Sequence, residues 1–270
     1  MREVQQFRRM VWAHYKKCGR HNLPWRKTHD PYRILVSEIM LQQTQVERVI
    51  PFYKKFIRQF PTAKKLAAVP LAEVLKSWQG LGYNRRAKML HQAAKEIEGK
   101  KKFPVAELEK LPGIGPYTAR AIAAFSWNEN VVFVETNIRT AVIHHFFSRR
   151  SDVEDTELVE VLKRVLLKGK SRQWYSALMD YGAYLKRSGI SHNAKSKTYA
   201  KQSKFAGSLR QARGTVLREF TATRFDLTSE FSRSNLIAAV EQTLGKGRRS
   251  QIRQALEALI AEGLINESLV

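Results

Sequence analysis

Apolar residues recur three or four positions apart along almost the whole chain, as at Phe7, Met10, Val11 and Tyr15, or at Leu158, Val161, Leu162, Val165 and Leu166. One apolar stripe per 3.6 residues predicts amphipathic helices packed against one another. The period breaks at Leu23-Pro24-Trp25, Asp30-Pro31, Phe60-Pro61-Thr62, Val69-Pro70, Gly80-Leu81-Gly82, Phe103-Pro104 and Leu111-Pro112-Gly113-Ile114-Gly115. Proline cannot continue a helix and glycine frees the backbone to turn, so each break reads as a short loop. The pattern predicts an all-α protein of many ordinary helices, with no solenoid repeat. Near the C-terminus it places helices around Leu209–Phe220, Ser234–Leu244 and Ser250–Glu262. The run from Leu256 to Ile265 reads as the last helix of a winged helix entering its wing strand, or as a helical hairpin used for packing.

Charge narrows the partners. The 270 residues hold 48 Lys and Arg against 24 Asp and Glu, a formal net charge of +24, which calls for a polyanion. Nucleic acid and an anionic membrane both fit, but no apolar run approaches the roughly 18 residues of a bilayer span. Met1 to Met10 has no apolar signal-peptide core behind it, so the expectation is an intracellular protein, in the cytoplasm or nucleoid of a prokaryote, and a monomer. A single cysteine, Cys18, leaves no internal disulfide and no iron–sulfur or zinc site built from several thiolates. From Tyr181 to Arg218 there is no acidic residue. Residues 186–205 read as a basic linker, either meeting phosphate or simply solvated, followed by a small helical domain at 206–270. His144 and His145, adjacent on a helix, diverge and have no carboxylate at ligand spacing, so packing is expected of them rather than a metal.

Two segments carry chemistry. In Leu111-Pro112-Gly113-Ile114-Gly115-Pro116-Tyr117-Thr118-Ala119-Arg120, paired glycines turn the backbone so that amides and a helix N-terminus face outward, which suits a phosphate. In Asp30-Pro31-Tyr32-Arg33-Ile34-Leu35-Val36-Ser37-Glu38-Ile39-Met40-Leu41-Gln42-Gln43-Thr44-Gln45-Val46, Glu38 is set at the N-terminal end of an apolar helix. Burial between Val36 and Ile39 would raise its pKa toward neutrality and fit it to donate a proton. Service to the helix macrodipole is the competing explanation of a carboxylate so placed.

The second segment resembles the Ser-Glu-(Val/Ile)-Met-Leu-Gln-Gln-Thr-Gln signature of MutY-type adenine DNA glycosylases, and the Leu111 string resembles the helix-hairpin-helix element of DNA repair glycosylases. Leu23-Pro24-Trp25-Arg26, Gly80-Leu81-Gly82-Tyr83 with Arg85 and Arg86, and Met179-Asp180-Tyr181-Gly182-Ala183 follow in the family's order. The resemblance implies a helix-hairpin-helix glycosylase domain at 1–185. One six-helix lobe would lie at about 22–120, and the other would combine the N-terminal helix with about 121–185. It implies that Glu38 protonates the departing base and handles the attacking water. Glu135, standing where the family has Asp, would stabilise positive charge on the sugar, with Asn137 orienting it. Tyr117 replaces the Schiff-base lysine of endonuclease III relatives, which implies a monofunctional enzyme. Gln42, beside Gln43 and Leu41, matches the wedge that fills the hole left by a flipped base. Tyr83 would stack near the lesion, and Asn84 replaces a second aromatic. Arg26, Arg85, Arg86 and Arg120, with Gly113, Gly115 and Thr118 of the hairpin, would lie toward DNA, where hairpin carbonyls can also hold a monovalent cation.

The resemblance has gaps. Typical relatives follow the Met-Asp-Leu-Gly-Ala segment with four cluster cysteines, whereas Leu185 to Ser196 contains none. No iron–sulfur cofactor is therefore expected. The larger C-terminal domain that senses 8-oxoguanine has no room after Phe205. The leading expectation is a glycosylase acting on adenine opposite G or 8-oxoguanine in double-stranded DNA. The same chemistry on thymine, uracil or another damaged base, and a DNA-binding protein without catalysis, remain alternatives.

Overall fold

The computed structural model describes residues 2–100, 102–192, 195, 204–223 and 229–265, and among them the fold is all-α. Most turn signals mark helix starts: Pro31 opens α2 (Pro31–Leu41), Pro70 and Pro104 are N-caps of α5 (Leu71–Trp78) and α7 (Val105–Leu108), and Pro116 is the first residue of α8 (Pro116–Trp127). Proline suits these positions because a helix's first amide has no intrahelical partner to lose. No helix among the described residues is long and apolar enough to cross a membrane.

The chain forms two compact units, Met1–Ile39 with Lys100–Lys201 and Met40–Gly99 with Gln202–Val270. The first contains α1 (Arg2–Cys18), most of α2 (Pro31–Leu41), α7 (Val105–Leu108), α8 (Pro116–Trp127), α9 (Thr136–Phe146), α10 (Asp155–Val165) and α11 (Ser171–Arg187). Its core takes Phe7 and Val11 from α1, Ile138 and Val142 from α9, Leu158, Leu162 and Val165 from α10, and Trp174 and Leu178 from α11. Met10, on the stripe expected to face inward, is 36% exposed. Phe133 stacks on Tyr175 with centroids 3.9 Å apart, so the strandless segment before α9 is held by a ring pair and by the bond from the Tyr175 hydroxyl to the Val131 carbonyl at 2.8 Å. His145 bonds Tyr181 at 2.8 Å and packs on Phe7, and His144 meets His192 at 3.3 Å. Both histidines serve packing, and the described residues hold no group of three metal-binding side chains.

The second unit contains α3 (Val46–Gln59), α4 (Ala63–Ala67), α5 (Leu71–Trp78), α6 (Arg85–Ile97), α12 (Leu209–Thr223), α13 (Glu230–Leu244) and α14 (Arg249–Ala261). Its three last helices match the expected spans closely. Residues 206–270 nevertheless belong with 40–99 rather than standing apart, because α12 packs on α5 as well as on α13 and α14. Polar ties reinforce this: Gln79 donates to Thr221, and Lys88 donates to the Glu262 carbonyl at 2.5 Å. The lobes drawn from sequence at 22–120 and 121–185 differ likewise, since the division falls at Ile39 and Gly99. No strand follows α14 at Leu264 and Ile265, and the remainder of the expected wing lies outside the described residues. Of the basic linker, α11 takes Lys186 and Arg187, while residues 193, 194 and 196–203 lie outside the described residues.

Candidate active site

The first unit brings Glu38, Tyr117, Glu135 and Asn137 together. Asp30 caps α2 by accepting the Tyr32 amide at 2.9 Å. Glu38 is the eighth of the helix's 11 residues, not in its first turn. That overturns the macrodipole explanation, because a helix C-terminus disfavours an anion. With Val36 fully buried, Ile39 1% exposed and Glu38 itself 6% exposed, removal from water pushes the Glu38 pKa up to about 7. The Tyr117 hydrogen bond works against that shift, and the charge of Glu135 adds to it. The Tyr117 hydroxyl donates to Oε2 of Glu38 at 3.2 Å. Burial, then the charges of Glu38 and Glu135, push the phenol well above its ordinary value, so it stays a donor.

Glu135 is the N-cap of α9. Its Oε2 accepts the Asn137 amide at 2.8 Å, and its Oε1 accepts from Thr136 Oγ1 at 2.6 Å and Asn137 Nδ2 at 3.0 Å. The helix cap and the role the resemblance implies thus use the same bonds: the cap fixes where the carboxylate stands. Asn137 is the second residue of α9, not its cap. Behind it lies Gly182 of α11, where an added Cβ would stand 2.5 Å from the Asn137 carbonyl carbon and closer still to its oxygen. Glycine is required there because two helices approach backbone to backbone. One turn further along α11 is Lys186, whose pKa burial lowers while Glu135 draws it up.

In the hairpin, Gly113 has φ +77°, which favours glycine, whereas Gly115 has φ −87° and open space where a Cβ would go. Nothing inside the unit demands a glycine at 115. Thr118 is 3% exposed, with its side chain inside, and Arg120 pairs with Glu109 at 3.1 Å. Arg26 is placed differently from the DNA-facing role expected of it. Its guanidinium binds both oxygens of buried Asp180 at 2.6 and 2.9 Å, and Arg20 joins the same carboxylate at 2.6 Å. Motif residues from opposite ends of the sequence match, Arg26 and Asp180, are therefore one internal ion pair.

The remaining candidates lie in the second unit. Helix α2 ends at Leu41, so Gln42 and Gln43 are in a turn rather than within a helix. Gln43 is exposed at φ +55° and Tyr83 is at φ +51°, both in the left-handed region that side chains other than glycine rarely adopt. Arg86 explains how both persist. It is 7% exposed and donates to the carbonyls of Met40 at 2.9 Å, Gly82 at 2.9 Å and Gln42, and to Thr44 Oγ1 at 3.1 Å. Its guanidinium also lies over the rings of Trp78 and Tyr83 at 5.5 and 5.2 Å. Arg86 is thus an organiser of two turns and not the phosphate contact that was expected; burial lowers its pKa to about 10. Arg85 beside it is exposed, and Asn84 is the N-cap of α6 without a side-chain cap bond.

Sequence reasoning missed several groups. Arg139, one turn after Glu135, binds both oxygens of Asp155 at 2.7 Å. Arg210 lies against the rings of Tyr83 and Phe205 in the second unit, and the only signal for Phe205 and Arg210 was their place in the acid-free stretch.

A family model described as HhH-GPD superfamily base excision DNA repair protein matches residues 36–166. The chain is 34% identical over 271 residues to the adenine DNA glycosylase of Mycolicibacterium smegmatis (strain ATCC 700084 / mc(2)155), spanning 93% of this chain and 89% of that protein. It is 30% identical over 293 residues to the adenine DNA glycosylase of Mycobacterium tuberculosis (strain ATCC 25618 / H37Rv), spanning 99% and 92%. The C-terminal helices therefore have counterparts in a protein of that name. Among solved structures, a thermostable thymine-DNA glycosylase aligns with a TM-score of 0.58 at 24% identity, over 67% of this chain and 87% of that one. A non-covalent endonuclease III–DNA complex aligns at 0.54 and 20%, over 76% and 91%. These two likenesses are of fold. On the sequence matches along nearly its full length, the chain belongs to the HhH-GPD superfamily of base excision DNA repair proteins.

Proposed function

We propose that the protein is a monofunctional DNA N-glycosylase that hydrolyses a mispaired adenine from its sugar and leaves an abasic site. The observation that carries the reading is a buried Glu38 with its pKa near 7, bonded to Tyr117 and within the field of Glu135. Proteins named adenine DNA glycosylase that match along nearly the whole chain support adenine as the base.

In this reaction the sugar C1′–N bond breaks and its electron pair leaves with the purine. Protonated Glu38 gives its proton to a ring nitrogen, which turns a poor anionic leaving group into a neutral one. The positive charge left on the sugar faces the Glu135 carboxylate, which three hydrogen bonds hold in place. Water then adds to C1′ and its proton passes to Glu38, now a carboxylate. Tyr117 keeps Glu38 oriented and cannot form an imine, which supports hydrolysis without strand cleavage. An iron–sulfur cluster does not fit this chain, since Cys18 in α1 is its one cysteine, and no step is assigned to one. DNA is held by the hairpin, where Gly115 leaves open space, and by exposed Arg85 and Gln43.

The test is a panel of duplexes with A, T, U or hypoxanthine opposite G, 8-oxoguanine or C, treated with alkali after incubation. Alkali-dependent product from adenine is expected. Product from pyrimidines alone would move the same chemistry to another base, and no product anywhere would leave a DNA-binding protein.

A further inference from the structure

In the second unit, α13 and α14 are joined by four residues, Gly245-Lys246-Gly247-Arg248. Both glycines sit at positive φ, +93° and +86°, so the chain changes direction in a conformation that other residues rarely adopt. Hydrogen bonds fix this turn. Glu241 accepts from the Gly247 amide at 3.1 Å and from Arg249 at 2.7 Å. Arg248 donates to Gln251 at 2.9 Å and to Gln211 at 3.2 Å, and Gln251 donates to the Gly207 carbonyl at 2.9 Å, which ties the turn to the start of α12. Helix α14 buries Ile252, Ala255, Leu256 and Leu259, while Ser250, Arg253, Gln254 and Glu257 are exposed. Its outer stripe is therefore polar throughout, unlike the apolar face that another protein would cover. From Phe231 to Leu256 the chain has five Lys and Arg residues and one acid, Glu241. Among them Lys246 and Arg253 are exposed, and no hydrogen bond or ion pair engages either among the described residues.

We propose that α13, the turn and α14 form a helix-turn-helix that grips undamaged duplex DNA, with the outer stripe of α14 in the major groove and Lys246 on the phosphate backbone. The inference rests on the DNA-repair reading above and adds a second contact surface to it. A short glycine turn leading into a second helix, apolar inside and polar outside, is the arrangement by which helix-turn-helix proteins enter the groove. The major groove of B-DNA is wide enough for one α-helix. Lys246 and Arg253 carry charge that nothing in the protein answers, and the phosphate backbone supplies its opposite. Arg248 and Arg249 are spent on holding the turn, so its shape is set before DNA arrives. Contacts of this kind add affinity regardless of sequence and keep an enzyme on the duplex while it moves along it. They also give the C-terminal helices a role separate from excision, since Glu38, Tyr117, Glu135 and Asn137 all lie in the first unit.

The experiment uses the full chain and a long undamaged duplex, with binding read by anisotropy across a salt series. Lys246→Gln combined with Arg253→Gln should weaken binding by about tenfold and lower its salt dependence by about two ions. Both side chains are exposed, so the melting temperature should hold. Lys64→Gln combined with Lys65→Gln removes two exposed charges from α4 and should change binding by about twofold or less, because charges far from the contact are screened. Methyl green, which occupies the major groove, should abolish the difference between the wild type and the Lys246, Arg253 double variant. An equal loss from both double variants would reduce the effect to bulk charge and overturn the proposal. So would binding unchanged by the loss of Lys246 and Arg253, or a difference that survives methyl green. This duplex holds no mispaired base, so the outcome stands apart from the excision panel, and either reading can fail without the other.

Discussion

The hydroxyl of Tyr117 stands 3.2 Å from Oε2 of Glu38, and burial makes both groups hold their protons to unusually high pH. The pair is an acid near neutrality beside a donor that does not titrate with it. Excision should therefore follow the protonated fraction of Glu38. Single-turnover rates should be level below about pH 7 and fall close to tenfold per unit above it. A profile flat from pH 6 to 9 would remove Glu38 from the acid's role.

Tyr117→Phe removes the hydrogen bond that favours the ionised carboxylate. The Glu38 pKa then rises further, and the alkaline limb of the rate profile should move to higher pH. A limb that stays where it is, or moves down, would show that the phenol does not set this acidity.

Glu38→Gln should lower excision by about 10²- to 10⁴-fold and at the same time stabilise the fold at alkaline pH. The folded state keeps the Glu38 proton up to about pH 7, whereas an unfolded chain releases it near 4.5. Stability from this group is thus fully present below 4.5 and is lost as pH climbs through 7. At pH 8 the amide should recover on the order of 3 kcal/mol, an upper bound for the shift. Urea denaturation of both proteins at pH 5 and pH 8 reads the difference.

Gly182→Ala presses a methyl group into the Asn137 backbone. Helix α9 must retreat, and it carries the Glu135 carboxylate with it. A displacement near 1 Å costs about 10²-fold in rate, so kcat should fall while affinity for an abasic-analogue duplex holds. Equal losses in both would place the defect in folding.

Arg86→Lys should fail to rescue Arg86→Ala, because one ammonium cannot reach the carbonyls of Met40, Gln42 and Gly82 together. Both variants should lose about 2–4 kcal/mol of stability by denaturant titration. Arg85→Ala, exposed beside it, should instead keep stability and lower the salt dependence of duplex binding by about one ion.

The fold class was legible because apolar periodicity is a local signal. Helices at Leu209–Thr223, Glu230–Leu244 and Arg249–Ala261 fall where the stripes ended. The cluster of Glu38, Tyr117, Glu135 and Asn137 was legible only as a resemblance: nothing local to Glu38 or Glu135 announces that residues so far apart in the chain would come together. Arginines were the least readable residues. Arg26 and Arg86 both sit in motifs, Arg86 next to exposed Arg85, yet each is internal, because its partners come from distant carbonyls or from Asp180. Composition counts a cation without saying whether it faces water. Positions of high backbone strain, Gln43 and Tyr83, leave no trace in a pattern of side-chain polarity.

The cap on α9 has a consequence for how this protein can change over generations. Asp and Glu both accept hydrogen bonds at a helix start, and Glu135 already satisfies that duty. A substitution at 135 is therefore tested twice, once as the cap of the helix and once beside Asn137 and Glu38, whose electrostatics the carboxylate shares. On the proposed chemistry, an acid that kept the cap but moved its oxygens would leave the fold standing and excision slower.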